Sequence, residues 1–447
     1  MYSFLYILLM GLIAYYLGTN RKKNGFDGAY SGVMVGFFIS YALVPFLFHT
    51  FSSFYIRQSS WKYAYIQKLV FGSNTSDLDI VLAIICVIIG LFGFNCGYKK
   101  TLFFGSLEFF KVYKNNSIDK KIKLNEKIFK KIAIIVLIVC TSLLILYIKA
   151  FGGLASAFSV ADMLRSHTIN VSNFGLSGIY SYVFLICGLL PFSFALLLSD
   201  FKNNKSFSTA ILLILSVIST FIYLRLNSGK SGFIRFGIII AYLLSGKKIK
   251  KHFWWYVFFG GIILLPVLDL FDIWFAGGEA SLSLFNITSI LENVVPFESP
   301  TELNYNLIEI TRRYGYQFFK HYILDFIDIL PGISFNTSWE KVSEFVRGVD
   351  WANKGGTPND IITYGYLQLN IIGVFIHLFI VGQISSFVDR CNKNIDIDAR
   401  EVISICFCSN FISFVTCSDI SSTFLHNLFF TGLLIFVFYM NRKWART

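Results

Sequence analysis

Long apolar runs separated by short basic segments constrain this chain more than any other feature of its sequence. Runs of about 18 or more apolar residues recur along the chain, and 55% of its 447 residues are hydrophobic. A water-soluble protein would not expose so much apolar surface, whereas a helix in lipid satisfies its own backbone hydrogen bonds. The sequence therefore predicts an all-α integral membrane protein.

The apolar runs predict about eleven transmembrane helices, within a range of ten to twelve. Helices one to eight fall in residues 1–271, and helices nine to eleven with a cytoplasmic tail fall in residues 362–447. Between them lies the long polar segment, residues 272–361. The predicted helices cover residues 3–18, 28–49, 78–97, 132–148, 176–198, 209–224, 233–244, 254–270, 362–387, 402–417 and 423–440.

The distribution of charge predicts the orientation of these helices. On one side of the membrane, the loops and the tail hold 25 of the 39 lysines and arginines, including ten lysines between Tyr98 and Lys131. Positive residues mark the cytoplasmic side of a membrane protein. The net charge of +13 therefore indicates membrane topology and not a nucleic-acid partner. The long polar segment is predicted to lie outside.

The long polar segment is acidic in an otherwise basic protein. It contains 12 of the 26 aspartates and glutamates and only 6 of the 39 lysines and arginines. We expect a folded outer loop with short amphipathic helices over residues 302–313, 316–330 and 338–347. Residues 337–340 read Thr-Ser-Trp-Glu, a capping box that opens the last of these helices.

The second of these helices carries the candidate catalytic residues, His321 and Asp325. They are four residues apart, and with Asp328 they share one face of a helix whose other positions are largely apolar. Such a helix is able to lie in the membrane interface. A histidine oriented by an aspartate can act as a general base near neutral pH. The alternative is a solvated polar stripe without a catalytic role.

Three cations after the sixth apolar run form the main candidate anion site. Arg225, Lys230 and Arg235 lie within 11 residues, and no acidic residue occurs between positions 201 and 268. Arg235 lies roughly 7 Å deeper than Lys230 at 1.5 Å per residue, and an ionisable group below the interface is a functional candidate. Cations at this boundary suit a lipid-linked diphosphate. Alternatively, these side chains extend only to lipid headgroups.

Three further arginines are candidates for binding the same diphosphate. Arg165 precedes the fifth apolar run, where Asp162 could instead pair with it on one helical turn. Arg312 and Arg313 precede the His321 helix, and Glu309 could pair with either of them. Such surface pairs contribute only ~0–1 kcal/mol to stability.

The motifs of nucleotide-driven and metal-dependent enzymes do not occur in the sequence. It contains no Walker motif, no Gly-x-Ser-x-Gly, no His-Glu-x-x-His and no Asp-x-Asp. We therefore expect no nucleotide, metal or other cofactor. Apart from Asp269, no acidic residue lies deep in a predicted span after Asp79, which argues against a proton-coupled transporter.

Three sequence features resemble those of one family of multi-pass bacterial proteins. Arg165 lies in the outer loop before the fifth span, and residues 226–232 resemble a Ser-Gly-Ser-Arg-Gly turn, with Lys230 where arginine is usual. The glycine pair at 355–356, followed by residues 366–373, resembles a loop that re-enters the membrane. The family is that of the bacterial O-antigen polymerases, the oligosaccharide repeat-unit polymerases. Where it commonly has an acidic residue followed by Asn-Phe-Gly, this chain has Gln368-Leu-Asn, so no acid is carried over.

The resemblance implies glycosyl transfer at the periplasmic face of the bacterial inner membrane. A growing chain on undecaprenyl diphosphate would be moved onto the terminal sugar of a new lipid-linked repeat unit, without metal or nucleotide. Donor and acceptor would both be lipid-linked oligosaccharides, and a chain-length regulator is an expected partner. An O-antigen ligase, or a flippase for the same lipid-linked sugar, are the alternatives. The size of the long polar segment argues against the flippase.

Overall fold

The computed structural model describes residues 2–59, 63–72, 75–99, 126–165, 179–227, 230–246, 250, 253, 287–292, 294–327, 338–348, 359–393 and 397–418. These residues form helices and the turns between them, with no strand among them. Most of the helices coincide with the apolar runs, because a helix is the structure that satisfies its own backbone in lipid. The predicted all-helical class is confirmed over the described residues.

The helices are numbered here in chain order. They are α1 Tyr2–Asn24, α2 Gly28–Phe37, α3 Val44–Thr50, α4 Ser52–Arg57, α5 Ala64–Leu69, α6 Asp77–Lys99, α7 Glu126–Ala150, α8 Leu154–Arg165, α9 Ile179–Ile186, α10 Leu190–Asn204, α11 Phe207–Leu226, α12 Lys230–Leu244, α13 Ile287–Glu292, α14 Ser299–Asn304, α15 Leu307–Tyr314, α16 Lys320–Ile327, α17 Ser338–Arg347, α18 Ile361–Lys393 and α19 Ile397–Thr416. A π-helix, Phe38–Leu43, joins α2 to α3, and a 3₁₀ turn, Cys187–Leu189, joins α9 to α10.

Seven helices in the described part of the chain are long and apolar enough to cross a membrane. They are Tyr2–Asn24, Gly28–Thr50, Asp77–Lys99, Phe129–Ala150, Val183–Asn204, Phe207–Leu226 and Ile361–Arg390. They match the first six predicted spans and the ninth, so the chain is a multi-pass membrane protein. The seventh and tenth predicted spans are also helical, as α12 and α19. The eighth and eleventh, residues 254–270 and 423–440, lie outside the described residues, and the count of eleven stays a prediction.

Helix α18 differs from the single span predicted over residues 362–387. Leu369 and Asn370 have non-helical dihedrals, and Asn370 has a φ of 54°. A Cβ atom on Gly373 would clash with the carbonyl oxygen of Gly365, although eight residues of straight helix would separate them by about 12 Å. The chain therefore folds back on itself. We call residues 361–368 the short arm and residues 371–393 the long arm.

Contacts between helices agree with spans that alternate in direction. On α6, Gly93 and Gly97 lie against the carbonyls of Phe375 and Phe379 on the long arm, so the two helices run parallel. Glycines allow backbones to approach this closely in membrane helices. Helix α2 also runs parallel to α19, because Gly28 lies against Ser404 and Gly32 lies against Cys408. The predicted order makes both pairs parallel, since spans three and nine are both odd and spans two and ten are both even.

The helices form two packed groups that meet at α19. One core contains residues of α7 to α12, and the other contains residues of α1 to α3, α6, the long arm and the long polar segment. Helix α19 contributes residues such as Cys406 and Cys408 to the first core and Val415 to the second. It therefore lies between the two groups.

The long polar segment packs against one end of the second group. The hydroxyl of Tyr305 lies 2.5 Å from that of Tyr6 and 2.8 Å from His49 Nε2. The amide of Asn306 donates to the Leu69 carbonyl at 2.9 Å. Residues 272–286, 293, 328–337 and 349–358 of this segment lie outside the description.

Two of the predicted helices in this segment have different bounds. The helix predicted over residues 302–313 is split into α14 and α15, because Tyr305 and Asn306 form a turn. The helix predicted over residues 316–330 begins only at Lys320, because Phe318 and Phe319 have positive φ values. The third prediction is confirmed, since α17 runs from Ser338 to Arg347 and ends at Gly348 with a φ of 86°.

Candidate functional site

The predicted catalytic pair lies inside the protein. His321 and Asp325 on α16 are 1% and 0% exposed, and His321 Nδ1 lies 3.6 Å from Asp325 Oδ1. The polar face of α16 therefore points inward, while Ile323 is 66% exposed. The solvated-stripe alternative is wrong for this pair. Asp328, the third polar residue of the predicted face, lies outside the described residues.

The turn before α16 fixes the pair to the short arm. The backbone N–H groups of Gln317 and Phe318 donate to the carbonyls of Leu367 and Gln368 at 2.8 and 2.9 Å. These carbonyls end the short arm, where the last carbonyl oxygens of a helix have no N–H donors within the helix. Phe318 and Asn370, on the two sides of this junction, have φ values of 45° and 54°. Such values are uncommon outside glycine and cluster at functional sites.

Both ring nitrogens of His321 have polar neighbours. The amide nitrogen of Gln317 donates to the carbonyls of residues 314–315, so its oxygen faces His321. His321 Nε2 lies 2.8 Å from that oxygen. Lys341 Nζ lies 2.9 Å from the same oxygen and 3.1 Å from Nε2. Nδ1 faces Asp325. The imidazole is therefore enclosed by the protein.

Asp325 connects this histidine to the short arm. The hydroxyl of Tyr364 donates to Asp325 Oδ2 at 2.9 Å. The Tyr364 ring also contacts the rings of Tyr322 and His377, at centroid distances of 5.4 and 5.1 Å, and Tyr322 hydrogen-bonds to His377. We call His321, Asp325, Lys341, Tyr364 and Gln317 the histidine network. It joins α16, α17 and the short arm.

Sequence reasoning missed Lys341 and Tyr364 as members of this network. Lys341 follows the capping box of α17, and its neighbour Val342 is fully buried. Burial lowers the pKa of Lys341, and the charge of Lys320 lowers it further, although Asp325 opposes the change. A lysine on the inner side of a predicted amphipathic helix was the one available signal. Tyr364 gave none, because its partner lies 39 residues away.

Arg225 and Arg235 lie toward the end of the molecule at which the long polar segment packs. Helix α12 runs antiparallel to α19, since Ser409 contacts the Arg235 carbonyl and Lys250 contacts Glu401. The first turns of α12, with Arg235, therefore approach the end of α19. There the N–H of Ser418 donates to the Asn359 carbonyl at 2.8 Å.

Contacts of individual side chains define this cationic region further. The Arg225 guanidinium lies 5.9 Å from the centre of the Phe158 ring on α8. Arg235 interacts electrostatically with Tyr223 and with Cys417, the residue before Ser418. Arg165 ends α8 and Lys230 begins α12, but their side chains lie outside the described residues. Helix α8, which ends at Arg165, therefore contacts Arg225 through Phe158.

Arg312 and Arg313 form ion pairs within the long polar segment. Arg312 Nη1 lies 2.7 Å from Glu309 Oε2, and these side chains are 72% and 51% exposed. Arg313 Nη2 lies 2.7 Å from Glu344 Oε1. The predicted pairing with Glu309 is confirmed for Arg312, whereas the partner of Arg313 lies on α17.

Two further carboxylates of the segment are buried, and sequence reasoning assigned neither of them a role. Glu302 is 1% exposed, and neither of its carboxylate oxygens has a hydrogen-bond partner among the described residues. Burial raises the pKa of Glu302 to about 8, although the charge of Arg347 opposes the rise. Asp360 is fully buried at the start of the short arm. Buried, unpaired carboxylates mark candidate functional sites.

No described group of three or more His, Cys, Asp or Glu side chains could hold a metal ion.

No protein-family model matches the chain, and no curated protein or solved structure matches it. The candidate site is therefore interpreted from its geometry and from the motifs of the sequence.

Proposed function

We propose that the protein polymerises lipid-linked oligosaccharide repeat units by glycosyl transfer, in the biosynthesis of O-antigen or a related surface polysaccharide. The proposed donor and acceptor are both carried on undecaprenyl diphosphate in the bacterial inner membrane. The long polar segment then lies on the periplasmic side. The observation that carries the proposal is the buried histidine network, held over one end of a membrane helix bundle toward which Arg225 and Arg235 also lie.

The proposed reaction needs a cation for the leaving group and a base for the acceptor. A hydroxyl of the acceptor sugar attacks the anomeric carbon of the donor, the bond from that carbon to the diphosphate oxygen breaks, and the diphosphate leaves with the electron pair. Arginine side chains stabilise this negative charge. A buried base accepts the hydroxyl proton. The energy is supplied by the donor itself, so the reaction requires no nucleotide.

The proposed diphosphate site lies in the cationic region near the ends of α8, α11 and α12. Arg225 and Arg235 are the proposed diphosphate ligands among the described side chains, and Arg165 and Lys230 belong to the same proposed group. The ion pairs of Arg312 and Arg313 make a direct role for these two less favourable. A chain-length regulator is the proposed protein partner.

The test is the length of surface polysaccharide in a deletion strain that carries either the wild-type gene or an Arg235→Ala variant. We expect the wild-type gene to restore the full ladder, and Arg235→Ala to leave single repeat units attached to lipid A core. The Arg235→Lys variant should recover part of the ladder. The exposed Arg57 on α4 supplies a control, since Arg57→Ala should leave the ladder unchanged. The membrane level of each variant is measured in parallel.

The deletion strain itself distinguishes the other activities. A flippase deletion would leave lipid-linked repeat units on the cytoplasmic leaflet, and a ligase deletion would leave long polymer on the lipid carrier. Either result would exclude polymerisation as the function. A full ladder with Arg235→Ala at a normal membrane level would move the diphosphate site away from Arg235.

A further inference from the structure

The short arm presents three buried polar side chains on one face. This face carries Tyr364 and Gln368 and continues to Asp360, the residue before the arm, at a spacing of four residues. All three side chains are fully buried. Tyr364 donates to Asp325, as described above. Neither the nitrogen nor the oxygen of the Gln368 amide has a hydrogen-bond partner in the described part of the chain. This face is therefore only partly satisfied by the protein.

The two carboxylate oxygens of Asp360 are bonded unequally within the described residues. Its Oδ1 accepts from the N–H groups of Ile362 and Thr363, at 3.0 and 3.1 Å, and caps the short arm. The Tyr41 hydroxyl and the Asn304 amide nitrogen donate to the same oxygen. The Thr363 hydroxyl interacts with the carboxyl and stabilises its charged form, and no other donor reaches Asp360 Oδ2 within the described residues.

The Asn304 side chain adds a second acceptor beside this carboxyl. The nitrogen of the Asn304 amide donates to Pro300 and to Asp360 Oδ1, so the orientation of the amide is fixed. Its oxygen is buried and has no hydrogen-bond partner in the described structure. A buried oxygen without a donor is costly, so these groups favour a ligand that supplies O–H donors. The hydroxyl groups of a sugar have this chemistry.

We propose that Asp360, and not His321, accepts the proton of the acceptor hydroxyl, and that Asn304 orients the same sugar. This inference rests on the proposed glycosyl transfer. As the hydroxyl oxygen bonds to the anomeric carbon of the donor, its proton passes to Asp360 Oδ2 and the diphosphate leaves with the electron pair. The four donors on Oδ1 hold the carboxylate so that Oδ2 remains available. His321, enclosed by Gln317, Lys341 and Asp325, is a positioning residue that acts through Asp325 and Tyr364.

The direct test compares Asp360→Asn with Asp389→Asn in membranes, using lipid-linked repeat units extracted from the deletion strain as substrate. Asparagine keeps an oxygen for the capping hydrogen bonds but cannot accept the proton. We expect Asp360→Asn to lower kcat by about 100-fold or more, with KM and membrane level unchanged. Asp389→Asn alters another buried aspartate that bonds helix N–H groups, and it should keep kcat within a few-fold. His321→Gln should retain more activity than Asp360→Asn.

A second measurement does not depend on the folding of Asp360→Asn. The Tyr41 hydroxyl stabilises the charged form of Asp360, so Tyr41→Phe should raise the pH at which kcat/KM falls on the acid side, by roughly one unit. A residue with a merely structural role would not move this limb. An unmoved limb, or an Asp360→Asn variant with near-normal kcat, would overturn the inference while leaving polymerisation intact. If wild-type membranes do not lengthen the substrate, the proposed function is wrong and the inference falls with it.

Discussion

Two buried aspartates in different regions of the molecule differ in how many of their carboxylate oxygens accept hydrogen bonds. Asp389, near the end of the long arm, accepts from the N–H groups of Ala29 and Tyr30 at 2.9 and 3.0 Å and from the Tyr98 hydroxyl at 3.0 Å. Both of its oxygens are occupied, and they join α2, α6 and α18. Asp360 caps the short arm through one oxygen alone.

The difference indicates which carboxylate the fold needs for stability and which it holds ready for a ligand. Asp27 precedes α2, but its side chain makes no capping hydrogen bond to that helix. Asp389 instead accepts from the first N–H groups of α2. Tyr98 also donates to Asp27 at 2.9 Å, and Lys393 lies 3.2 Å from Asp27. Near Asp360, by contrast, the Asn304 amide oxygen has no hydrogen-bond donor among the described residues.

The largest expected effect comes from breaking the satisfied aspartate. Asp389→Ala removes the acceptor of the Ala29 and Tyr30 N–H groups, and each buried unsatisfied group costs about 1–3 kcal/mol. The Tyr98 hydroxyl keeps Asp27 as its acceptor. We expect a loss of stability on the order of 3 kcal/mol or more, measured as thermal unfolding of the detergent-purified protein. Asp389→Asn should lose less, because its amide oxygen still accepts. Equal stability of Asp389→Ala and wild type would show that these bonds do not hold the helices together.

A third buried carboxylate, Glu302, extends the comparison to a group with neither oxygen hydrogen-bonded among the described residues. Its folded pKa is raised from 4.5 to about 8, so between these values the folded protein holds a proton that the unfolded chain releases. Stability from this group is therefore present at low pH and lost as pH rises from about 4.5 toward 8, with a slope on the order of 1 kcal/mol per pH unit near neutral pH. Glu302→Gln should remove this slope in thermal unfolding measured across the pH range.

The control for Glu302 is an exposed glutamate of the same segment. Glu309→Gln should keep the wild-type pH slope, because Glu309 is 51% exposed beside Arg312. A Glu302→Gln variant that keeps the full slope would place the titrating group elsewhere.

The smallest expected effect comes from the exposed ion pair, which sets the baseline for the buried groups. Arg312→Ala removes the pair with Glu309, whose side chains are both largely exposed. Such pairs contribute ~0–1 kcal/mol because solvent screens them. Thermal unfolding should therefore change little, and a large loss would mean that the pair is tied to the packing of α15.

The positions of the membrane helices could be predicted because apolar length and periodicity are local properties of the sequence. Helix α17 could also be predicted, because a capping box marks its start and Gly348 marks its end. The split between α14 and α15 could not be predicted in this way. It depends on Asn306, whose side chain donates to the carbonyl of Leu69, 237 residues away in sequence.

The candidate site was predictable only in part. The spacing of His321 and Asp325 placed them on one helical face, but it did not distinguish an inward from an outward face. Their burial depends on the junction between Phe318 and the short arm. Asp360 was passed over because it follows a run of turn residues, where an aspartate is usually a solvated cap.

The sequence by itself determined an all-helical membrane protein, the location of most of its spans and the acidic character of the long polar segment. These follow from composition and spacing over a few turns of helix. The tertiary structure alone decided the fold-back at Asn370, the pairing of Tyr364 with Asp325 and the half-satisfied state of Asp360. Each of these depends on groups that are distant in sequence, and a buried hydrogen bond forms only where packing brings donor and acceptor together.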